Sequence, residues 1–450
     1  MENSRRKFIA VLLMFGMARC ISLSADNIFK TYGLNSRSES KAFLRMPSDA
    51  DGSMPPLLSQ TGAFEDTRNF ILEDGLIPYD VIVPFWSDGA TKLRWVSFPS
   101  GKIKFSATSE WGFPRGTVFV KTFSLATNEL NPNSLRRLET RLIVCDATGG
   151  VYGVTYKWRA DGSDADLLAT NWTEAIAIKT TTGVRTQMWY YPSRADCLTC
   201  HTPLAGGVLG VKTRQLNRAF TYPSGVTDNE LRAWNHIGLF DTNLNETDLK
   251  HFPTLGGADD PSRSLEDRAR SYLDANCAQC HRPHGTVAYF DARYSTPLAQ
   301  QNLVGGNVLI DERIDNPRII KPNDIWRSIL YMRAKTTEAF KMPPLARNET
   351  DSQGMKLLRQ WIESLPGLPT LPPPEISPRG GNFDKPVEVT LKSEMDAEIY
   401  YTLDGTVPTI SDMLYKKPIH LTGPTILRAK AFKSGYEKSI TSQEIFIVGG

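Results

Sequence analysis

Two motifs of the form Cys-x-x-Cys-His carry the clearest chemistry in this sequence. Their reactive residues are Cys197, Cys200 and His201 in the first motif, and Cys277, Cys280 and His281 in the second motif. Two thiols three positions apart can each add across one vinyl group of a haem, and the histidine that follows then reaches the iron as the proximal ligand. The sequence therefore predicts two covalently bound haem c groups.

Other uses of paired cysteines fit the pattern less well. Zinc ribbons place their cysteine pairs roughly 15–20 residues apart, whereas 76 residues lie between Cys200 and Cys277. A thioredoxin-like redox pair needs no histidine directly after it. Of the two remaining cysteines, Cys145 lies in an apolar run and is predicted to be a buried strand residue, and Cys20 lies in a segment that processing would remove.

Residues 1–25 have the features of a secretory signal peptide. Arg5, Arg6 and Lys7 precede an apolar stretch, and small residues offer a cleavage site near Ala25. Because haem c is attached after export to an unfolded chain, we expect the general secretory route and not the twin-arginine route. The mature protein is then periplasmic or extracellular.

Charge and hydropathy narrow the range of partners. The formal net charge of +3 falls to about zero once the basic signal peptide is removed, so nothing indicates a nucleic-acid partner. No later segment has 18 consecutive apolar residues, and we expect no membrane span after signal removal. Redox partner proteins are the expected partners.

The pattern changes along the chain divide the mature protein into several parts. Strand-like runs occur at 117–123, 141–144 and 151–158, and helical periodicity occurs at 265–273 and 352–365. The predicted parts are an N-terminal segment with an antiparallel β domain (26–190), a first haem segment (191–262), a second haem domain (263–366), a Pro-rich linker (367–374) and a β-sandwich (375–450).

The distal iron ligands are harder to assign than the proximal ones. For the second motif we expect Met342, which lies beside two prolines 61 residues after His281; Met332 is the alternative, but it falls in a predicted helix. No methionine lies between the first motif and the second. We favour His236 as distal ligand of the first haem because its neighbours are apolar, while His251, Met188 and a vacant position stay open.

Three parts of the chain resemble known families. Residues 263–366, with a helix before the motif, a downstream methionine and a C-terminal helix, resemble a class I cytochrome c domain. The first motif followed by Gly206-Gly207-Val208-Leu209-Gly210 makes residues 75–366 similar to uncharacterised bacterial dihaem proteins. The runs at 400–409 and 429–436 resemble the chitobiase/β-hexosaminidase C-terminal type of domain. The expected fold class is therefore multidomain α+β: an antiparallel β domain, an α-helical cytochrome c-like domain and an Ig-like β-sandwich.

The resemblances imply electron transfer outside the cytoplasm, between a donor such as a sugar dehydrogenase and a respiratory acceptor. The alternative is a dihaem peroxidase-like enzyme with an open first haem, although no distal acid–base residue is identifiable. In a third interpretation, the C-terminal sandwich binds polysaccharide and the haems serve it. A spacer role for the sandwich fits its sequence equally well.

Overall fold

The computed structural model describes residues 31–37, 41–345 and 347–449. The predicted signal peptide, with Cys20, lies outside the described residues. Strands dominate the described part, which consists of an N-terminal β region, a middle region that holds the α-helices, and a C-terminal β-sandwich. None of the described helices is long and apolar enough to cross a lipid bilayer.

The N-terminal region is built around a six-stranded antiparallel sheet. A short hairpin, β1 (Phe64–Asp66) and β2 (Ile71–Leu72), precedes the sheet. The sheet strands lie side by side in chain order: β3 (Ile77–Pro78), β4 (Thr91–Ser97), β5 (Val118–Ala126), β6 (Leu135–Cys145), β7 (Val151–Trp158) and β8 (Ala165–Leu167). A separate hairpin of β9 (Trp172–Thr180) and β10 (Gly183–Tyr191) follows.

Both faces of this sheet are buried, which explains why its central strands read as nearly continuous apolar runs. Side chains alternate between faces along a strand, so Val118 and Val120 of β5 join the cluster on one face while Phe119 joins the cluster on the other. The cluster that contains Phe119 also includes Trp234, which belongs to the segment after the first motif. That segment therefore packs directly on the sheet.

The segment after the sheet contains short elements only. They are α1 (Arg194–Cys200), α2 (Thr213–Leu216), the strand pair β11 (Ala219–Thr221) and β12 (Thr227–Asn229), and α3 (Glu230–His236). Short 3-10 helices add to the connections at Leu58–Gln60, Pro203–Ala205, Glu246–His251 and Leu298–Gln300.

The predicted α+β class with an α-helical domain over 263–366 is wrong. This segment contains three α-helices, α4 (Leu265–Asn276), α5 (Ile329–Lys335) and α6 (Ser352–Ser364), and the long stretch between α4 and α5 has neither an α-helix nor a named strand. Pro and Gly, together with Asn residues at positive φ, interrupt regular structure there. Loop residues such as Leu303 and Ile320 nevertheless fill the local core, so burial there follows no helical period.

The C-terminal region is a β-sandwich, as predicted. One sheet has three strands, β13 (Glu375–Ser377), β15 (Val387–Lys392) and β18 (Ile419–Leu421). The other has five, β14 (Gly381–Phe383), β16 (Glu398–Thr402), β17 (Met413–Leu414), β19 (Thr425–Phe432) and β20 (Ser442–Val448). The linker before it is held in place, because the Leu371 amide donates to the Glu437 carbonyl at 3.0 Å.

Candidate functional site

The first motif begins inside helix α1, whose start is set by a capping box. The Ser193 hydroxyl accepts from the Asp196 amide at 3.2 Å, and the Asp196 carboxylate accepts from the Ser193 amide at 2.9 Å. Such reciprocal bonds satisfy two amides that the first helical turn would otherwise leave unpaired. The box therefore fixes where α1 starts and, with it, the position of Cys197.

The same helix rests on strand β7 at a glycine. A Cβ atom added to Gly153 would lie 2.7 Å from the Cβ of Cys197, closer than real Cβ atoms approach. Only glycine allows the helix to come this near to the sheet. The first motif is therefore held against strand β7 of the N-terminal sheet.

His201 is oriented by a backbone carbonyl. Its Nδ1 lies 2.8 Å from the Gly207 carbonyl oxygen, so Nδ1 carries the proton and Nε2 is left free. Burial lowers the pKa of His201 to about 4, which keeps the imidazole neutral. A neutral imidazole that donates through Nδ1 is the form in which histidine binds a metal through Nε2.

A cavity lies between the first motif and the sheet, and we call it the first cavity. It encloses about 1470 Å³ when the open solvent at its mouth is included. Its apolar lining includes Tyr79, Phe119 and Val208, together with Cys197 and His201. Cationic side chains from β4, β5 and β6 also line it: Arg94, Lys121 and Arg141.

The second motif follows directly on helix α4. Cys277 ends that helix, with its amide donating to the Leu273 carbonyl at 2.8 Å. The His281 ring stacks on Phe290 with 4.3 Å between ring centres, and burial lowers the pKa of His281 to about 4. Its Nδ1 is buried without a hydrogen-bond partner in the structure. Like His201, this imidazole is neutral and able to donate a nitrogen lone pair.

Met342 lies in the same cavity as His281, and we call it the second cavity. It encloses about 1230 Å³ including its mouth, with mainly apolar walls. The Met342 amide donates to the Arg333 carbonyl at 2.8 Å, which ties this loop to helix α5. Met332, the alternative considered for the distal ligand, lies in α5 but is not among the residues that line the cavity.

The β region supplies one wall of the second cavity. Trp86 lines it, donates from its backbone amide to the Asn276 side chain at 2.8 Å, and donates from its indole to the Glu349 carbonyl at 3.0 Å. The sequence favours core packing for the tryptophans of this region and leaves a haem wall or a sugar site open for some of them, without singling out Trp86. No local pattern marks Trp86, because its partners follow it by about 190 and 263 residues.

The two motifs touch each other. The side chains of Cys200 and Cys280 are in hydrogen-bonding contact, which lowers the pKa of the Cys280 thiol to about 7 and raises that of Cys200. The Cys280 sulfur also lies 3.9 Å from the Thr199 carbonyl. Buried Arg282 strengthens the junction by donating to the Leu204 carbonyl at 2.9 Å. Two motifs with 75 residues between them in the chain thus lie in contact.

The candidate distal ligands of the first haem lie elsewhere. His236, the favoured one, ends helix α3 and stacks on Tyr32 with 3.5 Å between ring centres. His251 ends a 3-10 helix, and Met188 is an exposed residue of β10. None of the three lines the first cavity.

The residues present fit haem c better than a zinc cluster. The first cavity is lined by both motif cysteines and by the neutral His201, and the second cavity is lined by Cys277 and by the neutral His281. A structural zinc site needs four converging ligands, and no group of three or more His, Cys, Asp or Glu side chains with such geometry occurs among the described residues.

Comparison with known proteins identifies the C-terminal region only. Residues 378–443 match the chitobiase/beta-hexosaminidase C-terminal domain family, which covers most of the sandwich. The resemblance noted for the runs at 400–409 and 429–436 is thereby confirmed. No curated protein matches the chain.

Proposed function

We propose that the protein is an exported dihaem c-type cytochrome that transfers electrons between a periplasmic or extracellular donor and a respiratory acceptor. The observation that carries the proposal is the contact between the two Cys-x-x-Cys-His motifs, each beside its own large cavity. Because electron transfer slows steeply with distance, adjacent redox centres serve a relay. The finer assignment to a group of bacterial dihaem proteins is part of this proposal.

The residues divide the work between two sites. Cys197, Cys200 and His201 would hold the first haem, and Cys277, Cys280, His281 and Met342 would hold the second. Haem bound there supplies a reversible one-electron iron couple. The protein's part is to keep each histidine neutral and oriented, to exclude water with apolar walls, and to hold the two sites in contact. A thioether ligand such as Met342 favours the reduced state and raises the potential.

In this proposal, the C-terminal domain is an accessory module. Its family match adds no residue to either cavity. We infer that it acts beside the redox sites, either by binding polysaccharide or by spacing them from another surface. A sugar dehydrogenase is the donor class that we favour.

Haem content per chain tests the proposal. The full-length protein, exported in a host with a c-type haem maturation system, is expected to carry two haems by the pyridine haemochrome assay. A Cys277→Ser, Cys280→Ser double variant is expected to carry one. Cys145→Ala is the matched control, because Cys145 is a buried cysteine of strand β6 outside both motifs, and it should keep two haems.

A wild-type protein without covalent haem would refute the proposal, as would a double variant that keeps both haems. In the loaded protein, potentiometric titration should show two reversible one-electron steps. Rapid turnover of peroxide instead would favour the peroxidase-like alternative.

A further inference from the structure

Three cations lie side by side beneath the first cavity. In the register of the sheet, Arg94 of β4 is paired with Lys121 of β5, and Lys121 is paired with Arg141 of β6. All three line the first cavity. Like charges at paired positions destabilise a sheet, so each of these cations requires something that offsets its charge.

Lys121 differs from the others because it has no such partner. The other cationic side chains that line this cavity, apart from the motif histidine, are each paired with a carboxylate: Arg94 with Asp80, Arg141 with Glu139, Lys212 with Asp274, and Arg282 with Glu110. Among the described residues, no carboxylate or hydrogen-bond acceptor contacts the Lys121 amine. Its Nζ lies 5.1 Å from the centre of the Phe123 ring.

The surroundings favour the neutral form of this amine. Burial lowers the pKa of Lys121 well below its ordinary value, and the positive charges of Arg94, Lys92 and Arg141 act in the same direction, while the carboxylate of Glu139 opposes them more weakly. A neutral primary amine has a nitrogen lone pair available for a metal, whereas an ammonium group has none.

Lys121 lies on the same sheet as the glycine that Cys197 packs against. Cys197 rests on Gly153 of β7, and Lys121 lies on β5, two strands away. At about 4.8 Å per strand this is a separation of about 10 Å across the sheet. Lys121 and His201 both line the first cavity.

Few other ligands are available in the first cavity. No methionine, and no histidine besides His201, is among the described residues that line it. Tyr79 lines the cavity too, but burial raises the pKa of its phenol, so its hydroxyl stays protonated. Besides the motif histidine, the amine of Lys121 is therefore the best nitrogen donor among the described residues that line this cavity.

We propose that the amine of Lys121 is the distal ligand of the first haem iron, with His201 as the proximal ligand. The inference rests on the proposed function, since it requires haem at the first motif. The amine nitrogen donates its lone pair to the iron, and any proton it carries is released to solvent, so no oxidant or reductant is consumed. The first haem is then six-coordinate and serves as a relay.

Electron paramagnetic resonance of the oxidised, haem-loaded protein tests this assignment in four variants. Wild type is expected to show two low-spin signals and no high-spin signal. Lys121→Ala and Lys121→Arg should each convert one haem per chain to high spin, because neither side chain supplies a neutral amine. Lys121→Met should restore a low-spin signal with altered g values, since it offers a thioether. Lys92→Ala is the matched control and should match wild type, because Lys92 lies on β4 but does not line the cavity.

Two results would overturn the assignment. A wild-type high-spin signal would mean that the first iron has an open position. A Lys121→Arg variant with the wild-type spectrum would mean that Lys121 supplies charge only, for example to a haem propionate. Haem content is measured first in every variant. A wild-type protein without haem refutes the proposed function. Lys121 variants that carry two haems and show the wild-type spectrum refute only the lysine ligand. If Lys121→Ala loses haem, Lys121→Arg and Lys121→Met decide the question.

Discussion

Met342 is the predicted distal ligand of the second haem, and it lies in a cavity that distant segments of the chain build. It lines the same cavity as His281, and the only other candidate from the sequence, Met332, lies outside that cavity. The sequence predicts Met342 as the distal ligand because it lies beside prolines, and it disfavours Met332 because that residue lies in a predicted helix. The placement agrees with that choice, although the bond to iron stays a prediction.

Replacing Met342 by alanine is expected to remove the thioether from the second haem. Since a thioether favours ferrous iron, the reduction potential of this haem should fall, and its oxidised form should change from low spin to high spin. Potentiometry and paramagnetic resonance measure the two effects. Met332→Ala is the control, and equal effects in both variants would contradict the assignment.

Glu230 is a buried carboxyl group that makes stability depend on pH. Burial raises its pKa to about 8; Oε1 accepts from the Asp80 amide at 2.8 Å, and Oε2 is buried without a partner. Because the folded pKa lies above the unfolded value, the folded state binds more protons between pH 4.5 and 8. The stabilisation from this group is complete below about pH 4.5 and is lost as pH rises through 8.

The Glu230→Gln variant should therefore lose less stability than wild type between pH 5 and pH 9. From the pKa shift, the difference in the free energy of unfolding is at most about 5 kcal/mol. Denaturant unfolding at the two pH values measures it. The introduced glutamine side chain keeps an acceptor for the Asp80 amide, so a parallel decline in both proteins would show that Glu230 does not cause the pH dependence.

At the scale of elements, helices α4 and α6 support the second cavity by crossing closely. Gly354 of α6 faces Tyr272 of α4, and a methyl group added at Gly354 would lie 2.5 Å from the tyrosine ring. In an exposed helix interior, Gly→Ala usually stabilises by roughly 1 kcal/mol. Here the crossing leaves no room for the methyl group.

Gly354→Ala is therefore expected to destabilise the protein by about 1–3 kcal/mol, the usual cost of overpacking. Gly257→Ala is the control, because an added methyl group at Gly257 meets no atom within 4 Å, and it should change stability by less than about 0.5 kcal/mol. Urea unfolding of the two variants compares them. A Gly354→Ala variant as stable as wild type would show that Tyr272 can move away.

The sequence pattern predicts the helices and strands well, but it does not predict the structure of the loops between them. The run predicted as a strand at 151–158 is β7, and the helix predicted at 352–365 is α6 at Ser352–Ser364. Ser264 caps α4 as its side chain predicts, accepting from the Asp267 amide at 3.1 Å. Helices α4 and α6 are present as predicted, but the α-helical domain inferred from them is wrong. Residues that are buried in loops show no periodicity in the sequence, so the long loop between α4 and α5 was not predicted.

At the scale of the whole molecule, the C-terminal sandwich is attached through a small polar junction. The carboxylate of Asp315 lies 2.6 Å from the Lys430 amine and 3.4 Å from the Arg327 guanidinium. Arg327 also donates to the carbonyls of Lys438 and Ser439 in the sandwich, at 3.1 and 2.9 Å. Lys430 and Arg327 are both buried, so this junction connects the sandwich to the region that contains the second motif.

Asp315→Asn is expected to loosen this junction while both regions stay folded. The substitution leaves the buried Lys430 amine without its carboxylate, whereas Arg327 keeps Asp324 as a partner. Because the Asp315 side chain is 34% exposed, solvent screening makes the cost smaller than the roughly 3–5 kcal/mol of a fully buried pair. Limited proteolysis should then cut the 367–374 segment faster than in wild type. Asp412→Asn is the control. Asp412 is an exposed residue of the sandwich, and its carboxylate accepts a hydrogen bond from the Thr409 hydroxyl at 2.8 Å. Equal cleavage in the two variants would place the attachment elsewhere.

The sequence by itself determined the main strands and helices and the C-terminal sandwich, and it predicted the chemistry of the two motifs. Each of these depends on residues close together in the chain, where spacing and period can be read directly. Only the tertiary structure decided that Cys200 and Cys280 meet, that Trp86 lines the second cavity, and that Lys121 lies unpaired beneath the first. These relations join segments up to 263 residues apart through sheet register and packing, which no local pattern encodes.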